Sequence, residues 1–251
     1  MAPGRATDRG VVVVLPTFNE RENLESAVGS ILATLPNVSL LVVDDASPDG
    51  TGQLADNLAA QDSRVSVLHR PAKEGLGVAY RAGFEHALLE PETRILVQMD
   101  ADLSHDAADL PRLVGAIDAG ADLVLGTRYM RGGGTVGWPL ARQLISRGGT
   151  LFARMVLLLP YRDLTGGFKA WRRDALEAVL ERQSSAHGYS FQVETTWLAH
   201  RNGSRIVEIP IVFRERVAGQ SKMTGSIVRE AVGLVIGLRA RALHERFRRP
   251  R

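Results

Sequence analysis

The chain has 251 residues, 45% of them hydrophobic and 24% charged, ordinary values for a globular domain that exclude a disordered tail or a disulfide-stapled mini-protein. With no cysteine, any metal must sit on oxygen or imidazole. The formal charge is +3, but residues 239–251 carry six arginines against the single acid Glu245 and the remaining body is slightly acidic, which excludes a basic nucleic-acid face and leaves the tail either solvated or set against anionic lipid.

Residues 11–15 (VVVVL) form a continuous apolar run ended by Pro16, and residues 40–43 repeat it before Asp44; both read as strands buried on two faces. Between them Leu24, Ala27, Val28, Ile31 and Leu35 recur with a helical period over 22–35, with Asn19 as the capping candidate. The alternation continues through a helix over 51–60, a strand over 65–68, a helix over 78–89, a strand over 94–99, a helix over 110–119 and a strand over 122–125. Such alternation predicts a doubly wound α/β fold with a mostly parallel, Rossmann-like sheet. After Gly126 the texture changes to a glycine-rich loop over 131–137, a helix around 139–158, a loop over 161–167 and then the segment 168–171, where a second sub-region begins. Helices over 173–180 and 191–201, a strand over 205–213 and a polar loop over 214–225 follow.

The last segment, 226–251, reads as an amphipathic helix with a basic tail: Ile227, Ala231, Leu234, Val235 and Leu238 share one stripe. It either packs on the core or lies at a membrane interface. The apolar runs at 155–159 and 227–238 are too short to span a bilayer, and residues 1–10 lack the apolar core of a signal peptide. The expectation is a disordered N-terminus over 1–10, one domain over 11–225, and a protein of the cytoplasm or the cytoplasmic face of the membrane.

In an open α/β sheet, ligands bind outside the carboxyl ends of the strands. Those ends here are PTFNE (16–20), DDASPDG (44–50) and DADLSH (100–105), so acids converge on one edge. Asp100 and Asp102 follow an apolar strand, where two carboxylates can share Mg²⁺ or Mn²⁺ with a diphosphate; the plainer reading is that they cap the next helix. Asp45 at a strand mouth can accept hydrogen bonds from a nucleobase, whereas Asp49 and Gly50 also suit a simple turn. The segment GLGVAY (75–80) ends in tyrosine and does not follow the first strand, which disfavours a dehydrogenase. Neither a P-loop nor a Gly-x-Ser-x-Gly elbow is present.

The ordered motifs LPTFNE (15–20), VVDDASPDGT (42–51), HRPAKEGLGVAYRAGF (69–84), MDADLSH (99–105), GTRY (126–129), RQLISRGG (142–149), LTGGFKAW (164–171) and GQSKM (219–223) together resemble family-two glycosyltransferases. Within that family they are similar to the polyprenol (dolichol) phosphate mannose synthases. The resemblance implies a GT-A fold, a divalent metal (Mg²⁺ or Mn²⁺), GDP-mannose as donor and a polyprenyl monophosphate as acceptor. It implies that Pro16, Thr17, Glu20 and Asp45 hold the nucleoside, and that Asp100 and Asp102 hold metal and diphosphate. Ser104 stands where some relatives have glutamine, so the third metal ligand stays open. Arg128, Arg142 and Ser146 would face the acceptor phosphate, and Arg216 and Lys222 the donor phosphates, with Asp102, Arg128 and Arg216 as the catalytic set. For Arg142 the alternative is an exposed helix charge.

A phosphate monoester is largely dianionic near pH 7, so the implied inverting reaction needs no strong general base. The other readings are a polyprenyl phosphate glucosyltransferase using UDP-glucose, a sugar-nucleotide pyrophosphorylase and a non-catalytic membrane-associated scaffold. Because the acceptor's chain lies in a bilayer and no segment here spans one, a membrane surface and a separate integral membrane subunit are the expected partners, and nucleic acid is not.

Overall fold

A computed structural model describes residues 8–182, 188, 190–215 and 225–248. The apolar run at the start forms β1 (Val11–Thr17), and the predicted alternation continues as α1 (Arg21–Thr34), β2 (Ser39–Asp44), α2 (Thr51–Gln61), β3 (Val65–His69), α3 (Leu76–Ala87), β4 (Ile95–Gln98), α4 (Leu110–Asp118) and β5 (Leu123–Thr127). Then come β6 (Gly134–Val136), α5 (Leu140–Leu157), β7 (Lys169–Arg172), α6 (Arg173–Leu180), α7 (Phe191–Arg201), β8 (Ile206–Pro210), β9 (Val212–Arg214) and α8 (Gly225–Arg248).

Seven strands form one sheet in the order β3-β2-β1-β4-β7-β5-β8, in which β7 alone runs antiparallel to its neighbours. β1 is buried on both faces because its side chains alternate between two cores. Val11, Val13 and Leu15 pack with α1, α2 and α4, whereas Val12 and Val14 pack with α3 and α5 to α8. Helix α3 lies so close to the sheet that a Cβ on Gly83 would stand 2.5 Å from Val14 Cγ1 and 2.8 Å from Val43 Cγ2, so only glycine lets the layers meet.

Three expectations are corrected. Asn19 does not cap α1: it sits at φ +57°, Glu20 is the first capping residue, and the Asn19 N–H donates to Ser47 Oγ. The strand expected over 205–213 divides at Ile211, whose N–H donates to Thr127 O, into β8 of the main sheet and β9; β9 pairs in parallel with β6, formed inside the expected glycine-rich loop. Residues 8–10, at the end of the segment expected to be disordered, are ordered, and residues 1–7 lie outside the described residues. Asp8 accepts from the Asn37 backbone and side chain, both at 2.8 Å, and Gly10 O accepts from Arg94 and Ile95.

The last helix packs: Val235 and Leu238 are buried and Leu234 joins the same core, while Val232, Ile236 and Leu243 are exposed. The side chain of Ile227 lies outside the described residues.

Lys169 is fully buried in β7, with Nζ donating to Gln192 O (2.7 Å) and Thr196 Oγ1 (2.9 Å). Burial, opposed by the Asp163 charge, lowers its pKa to about 7. The unfolded chain keeps this proton to about pH 10, so above pH 7 the unfolded state binds more protons and folding stability rises with pH. Relative to Lys169→Met, the wild type is expected to gain about 2 kcal/mol between pH 7 and pH 9 in urea unfolding; parallel pH curves would remove this assignment.

Candidate active site

The strand order places β1 between β2 and β4 at the topological switch point, so the crevice opens beyond the carboxyl ends of these strands. Register sets Thr17 beside Asp44. Thr17 Oγ1 donates to Asp44 Oδ1 (3.1 Å), which also accepts from Ser47 Oγ (2.6 Å). Asp45 follows, anchored by its N–H to Thr17 O. Its carboxylate takes Arg70 Nη1 at 2.5 Å while Arg70 Nη2 reaches Glu74 at 2.5 Å. Desolvation pushes the Asp45 pKa up against the pull of Arg70, for a net rise. Glu20 is buried, accepts from Asn23 Nδ2 (2.9 Å) and donates its N–H to Thr51 Oγ1. Pro16, on β1, is half-buried. Asp49 braces the start of α2, accepting from the Thr51 N–H and hydroxyl, so the turn reading holds for it.

At the end of β4, Asp100 accepts from Tyr80 Oη (3.0 Å), and its N–H donates to His105 Nδ1 (3.1 Å). The proton of neutral His105 is therefore on Nε2. Burial lowers its pKa, although Asp100 and Asp102 pull the other way. Asp102 is buried and accepts the Ser104 N–H through Oδ1, and the following 3-10 turn is capped by Asp106. The helix-capping reading of Asp100 and Asp102 is thus set aside. Asn19, Ala46 and Leu103, just beyond β1, β2 and β4, all have positive φ, so three of the four such non-glycine residues described stand at the crevice, the fourth, Leu158, ending α5.

Among the described residues no three His, Cys, Asp or Glu side chains gather as a metal cage. Two carboxylates at the mouth of β4 still fit a hard cation whose remaining ligands are diphosphate oxygens or water. The Ser104 hydroxyl is buried and has no hydrogen-bond partner, an orphan that suits a third oxygen ligand.

Antiparallel β7 pairs Lys169 with Gln98, which brings the 163–167 loop to the edge where β4 ends. A Cβ on Gly167 would stand 3.5 Å from Asp100 Oδ2. On this side Arg128 is committed to Asp163 in a fork: Nε to Oδ2 at 2.7 Å and Nη2 to Oδ1 at 2.8 Å, with Nη2 also on Thr165 Oγ1. Burial opposes both charges, but the pair wins, holding the Asp163 carboxyl low and the Arg128 guanidinium high. Arg142 is no free surface charge: it pairs with Glu215 and lies 4.1 Å over the Trp138 ring. Ser146, one turn further along α5, accepts from Tyr129 Oη at 2.6 Å. His105, Phe213 and Trp138 join this side to the Asp100 side through edge contacts of 5.2 and 5.1 Å between ring centres.

The structure thus brings Thr17, Glu20, Asp45, Asp100, Asp102 and Ser104 to one sheet edge, and Arg128, Arg142 and Ser146 to the neighbouring loop and helix. Arg216 and Lys222 lie outside the described residues. Sequence reasoning missed Arg70, Tyr80, His105, Trp138, Asp163 and Glu215. HRP (69–71) and SH (104–105) lay within motifs already singled out, but nothing local marks Asp163 or Glu215 as the partner of an arginine 35 or 73 residues away.

The family model described as glycosyl transferase family 2 matches residues 12–180. The chain is 48% identical over 240 residues to the polyprenol monophosphomannose synthase of Mycolicibacterium smegmatis, an alignment covering 94% of this chain and 90% of that protein. It is 49% identical over 222 residues to the undecaprenyl-phosphate mannosyltransferase of Micrococcus luteus, covering 88% and 90%. Its fold is that of glucosyl-3-phosphoglycerate synthase from Mycobacterium tuberculosis, solved with Mn²⁺, UDP and glucosyl-3-phosphoglycerate: the TM-score is 0.66 at 22% identity, over 92% of this chain and 80% of that one.

Proposed function

The chain belongs to glycosyl transferase family 2, and from that membership we propose that it moves mannose from GDP-mannose to a polyprenyl monophosphate with inversion at the anomeric carbon. The observation that carries the reading is the 48–49% identity, across most of the chain, to two proteins named for lipid-phosphate mannosylation. The donor pocket adds support. Arg70 and Asp45 set donor and acceptor groups side by side at the mouth of β2, which suits a nucleobase presenting a carbonyl beside an N–H, guanine or uracil alike, and so a nucleoside donor without choosing its base.

In the proposed reaction an acceptor phosphate oxygen forms the new bond to the anomeric carbon, while the bond from that carbon to the diphosphate oxygen breaks and its electron pair leaves with GDP. The acceptor is already a dianion, so no side chain must take a proton. Asp100 and Asp102, with Ser104, would hold Mg²⁺ or Mn²⁺, which supplies charge neutralisation for the leaving diphosphate. Thr17, Glu20, Asp45 and Pro16 position the nucleoside, and Arg142 and Ser146 orient the acceptor phosphate beside the fixed charge of Arg128. Arg216 and Lys222, outside the described residues, are the cations assigned to the donor phosphates in this reading.

The same helix that carries Arg142 and Ser146 presents Leu140, Leu144, Leu151 and Met155 to solvent, followed by Leu158 just past its end, each more than half exposed. They recur at helical spacing, with Arg147 exposed among them and Val232 and Ile236 of α8 also exposed. No helix of the described residues is long and apolar enough to cross a membrane. An apolar face flanked by arginines on the acceptor-bearing helix suits docking on an anionic bilayer in which the prenyl chain lies. This enlarges the interface expected of the 226–251 segment alone.

The test is transfer of labelled hexose from GDP-mannose or UDP-glucose to polyprenyl phosphate, in detergent and in anionic vesicles, with EDTA as control. EDTA-sensitive label from GDP-mannose is expected, and Leu144→Gln/Met155→Gln should depress the rate in vesicles but not in detergent. Label from UDP-glucose alone would replace the donor; equal loss in both media would refute the docking face.

A further inference from the structure

Arg128 and Arg142 stand over the same Trp138 ring, at 5.3 and 4.1 Å, yet their counter-ions hold them differently. Arg128 meets Asp163 nitrogen for oxygen, in the planar two-bond geometry that suits a guanidinium and a carboxylate. Arg142 meets Glu215 through Nη1 alone, which donates to both carboxylate oxygens, at 2.6 and 2.8 Å. The Nε–H of Arg142 and the indole N–H of Trp138 are buried without a partner. Two unsatisfied donors beside a poorly matched carboxylate describe a site whose present occupant does not complete it.

Glu215 is held in place by its backbone rather than by this pair. Its N–H donates to Val136 O at 2.8 Å, continuing the β6–β9 ladder. Gly137, at φ +82°, lets the chain pass where a Cβ would stand 2.9 Å from Glu215 Cβ. The preceding residue, Arg214, donates its N–H to Ser104 O, so the strand that presents Glu215 is also fastened to the loop bearing Asp102.

We infer that Glu215 is the resting counter-ion of Arg142, a carboxylate occupying the acceptor-phosphate position, which an incoming phosphate must displace and which takes the arginine back as the product leaves. The inference rests on the proposed transfer reaction. A monoester carries close to two negative charges near pH 7, so it competes well against one carboxylate for the guanidinium. Its tetrahedral oxygens also reach more than one guanidinium nitrogen, including the Nε–H that Glu215 leaves unmet. Once the sugar is transferred the same phosphate is a diester with one charge, and Glu215 regains Arg142 on equal electrostatic terms. The residue therefore costs affinity for the substrate and favours departure of the product.

Three proteins decide this: wild type, Glu215→Gln and Arg142→Ala, each assayed for the KM of polyprenyl phosphate and for inhibition by inorganic phosphate and by the mannosylated lipid product. The pair is partly exposed, so Glu215→Gln is expected to lower the acceptor KM by about two- to fivefold and to strengthen both inhibitions by a similar factor. A residue that merely braces Arg142 would move KM the other way. If Arg142→Ala raises KM while Glu215→Gln leaves or raises it, the counter-ion role is overturned and the acceptor site stands. If Arg142→Ala turns over with an unchanged KM, the acceptor site itself is misplaced and the inference fails with it.

Discussion

An Asp102→Asn protein is expected to lose transfer by at least ~10³-fold while binding GDP in EDTA as tightly as the wild type. The substitution is chosen for what it preserves. Asp102 Oδ1 accepts the Ser104 N–H at 3.1 Å, and asparagine keeps an oxygen for that bond, so the turn through Leu103 and Ser104 retains its shape. What disappears is one of two carboxylate charges at the mouth of β4, where Asp100, its carboxylate accepting from Tyr80 Oη and its N–H donating to His105 Nδ1, is held in its own place. In the proposed reaction the leaving group is a nucleoside diphosphate, whose departure would build negative charge for a hard cation to offset; ~4 kcal/mol of lost stabilisation corresponds to the expected rate loss. Isothermal titration with GDP, with and without Mg²⁺, separates the two effects: the variant should lose the metal-dependent gain in affinity and keep the metal-independent part. Turnover within about tenfold of wild type would place the metal elsewhere.

The part of this site that could be read from the chain is the part written in one local pattern. Four valines and a leucine ended by Pro16, then the acids after residues 43 and 99, announce buried strands with polar mouths, and the topology follows because parallel strands need crossover helices. The direction of β7 was not legible in this way. The segment KAWR is as compatible with parallel as with antiparallel pairing, and only its insertion between β4 and β5 makes it antiparallel. Nor was the split of the last strand legible, since Ile211 continues the alternation while its N–H turns to Thr127 O. Asn19 misled because an asparagine before a helical stripe is a good cap by chemistry; here the Glu20 N–H is taken by Thr51 Oγ1 from a different helix. Charges were the least legible. An arginine in a sequence carries no label for its partner, so Arg128 and Arg142 read alike, though one is locked to Asp163 and the other loosely held by Glu215.

That difference between the two arginines leads to the second large effect, on stability rather than turnover. Asp163→Asn should destabilise the protein by ~3–5 kcal/mol, because the Arg128 guanidinium, 5% exposed, is left as an uncompensated buried charge. For a chain of this size that corresponds to a fall in Tm on the order of 10 °C. Asp163 also accepts the N–H groups of Arg128 and Gly166, so a double-mutant cycle with Arg128→Met separates the ion pair from the loop bonds; a coupling above ~1 kcal/mol is expected. The pH dependence has a definite sign. The carboxyl is held below its ordinary value in the fold, since the Arg128 charge and hydrogen bonds outweigh burial. Its contribution is therefore complete above the unfolded pKa of about 4 and is lost as pH falls through the lower folded value. The gap between wild type and variant in urea unfolding should be widest at pH 7 and should close in acid; a gap under ~1 kcal/mol at pH 7 would show that Arg128 finds its compensation elsewhere. Because the same carboxylate braces the loop that ends at Gly167, beside Asp100, the folded fraction of the variant should also turn over more slowly. On the proposed assignment the pair would fix the loop beside Arg128 against the Asp100–Asp102 edge, with Arg142 as the exchangeable charge between them.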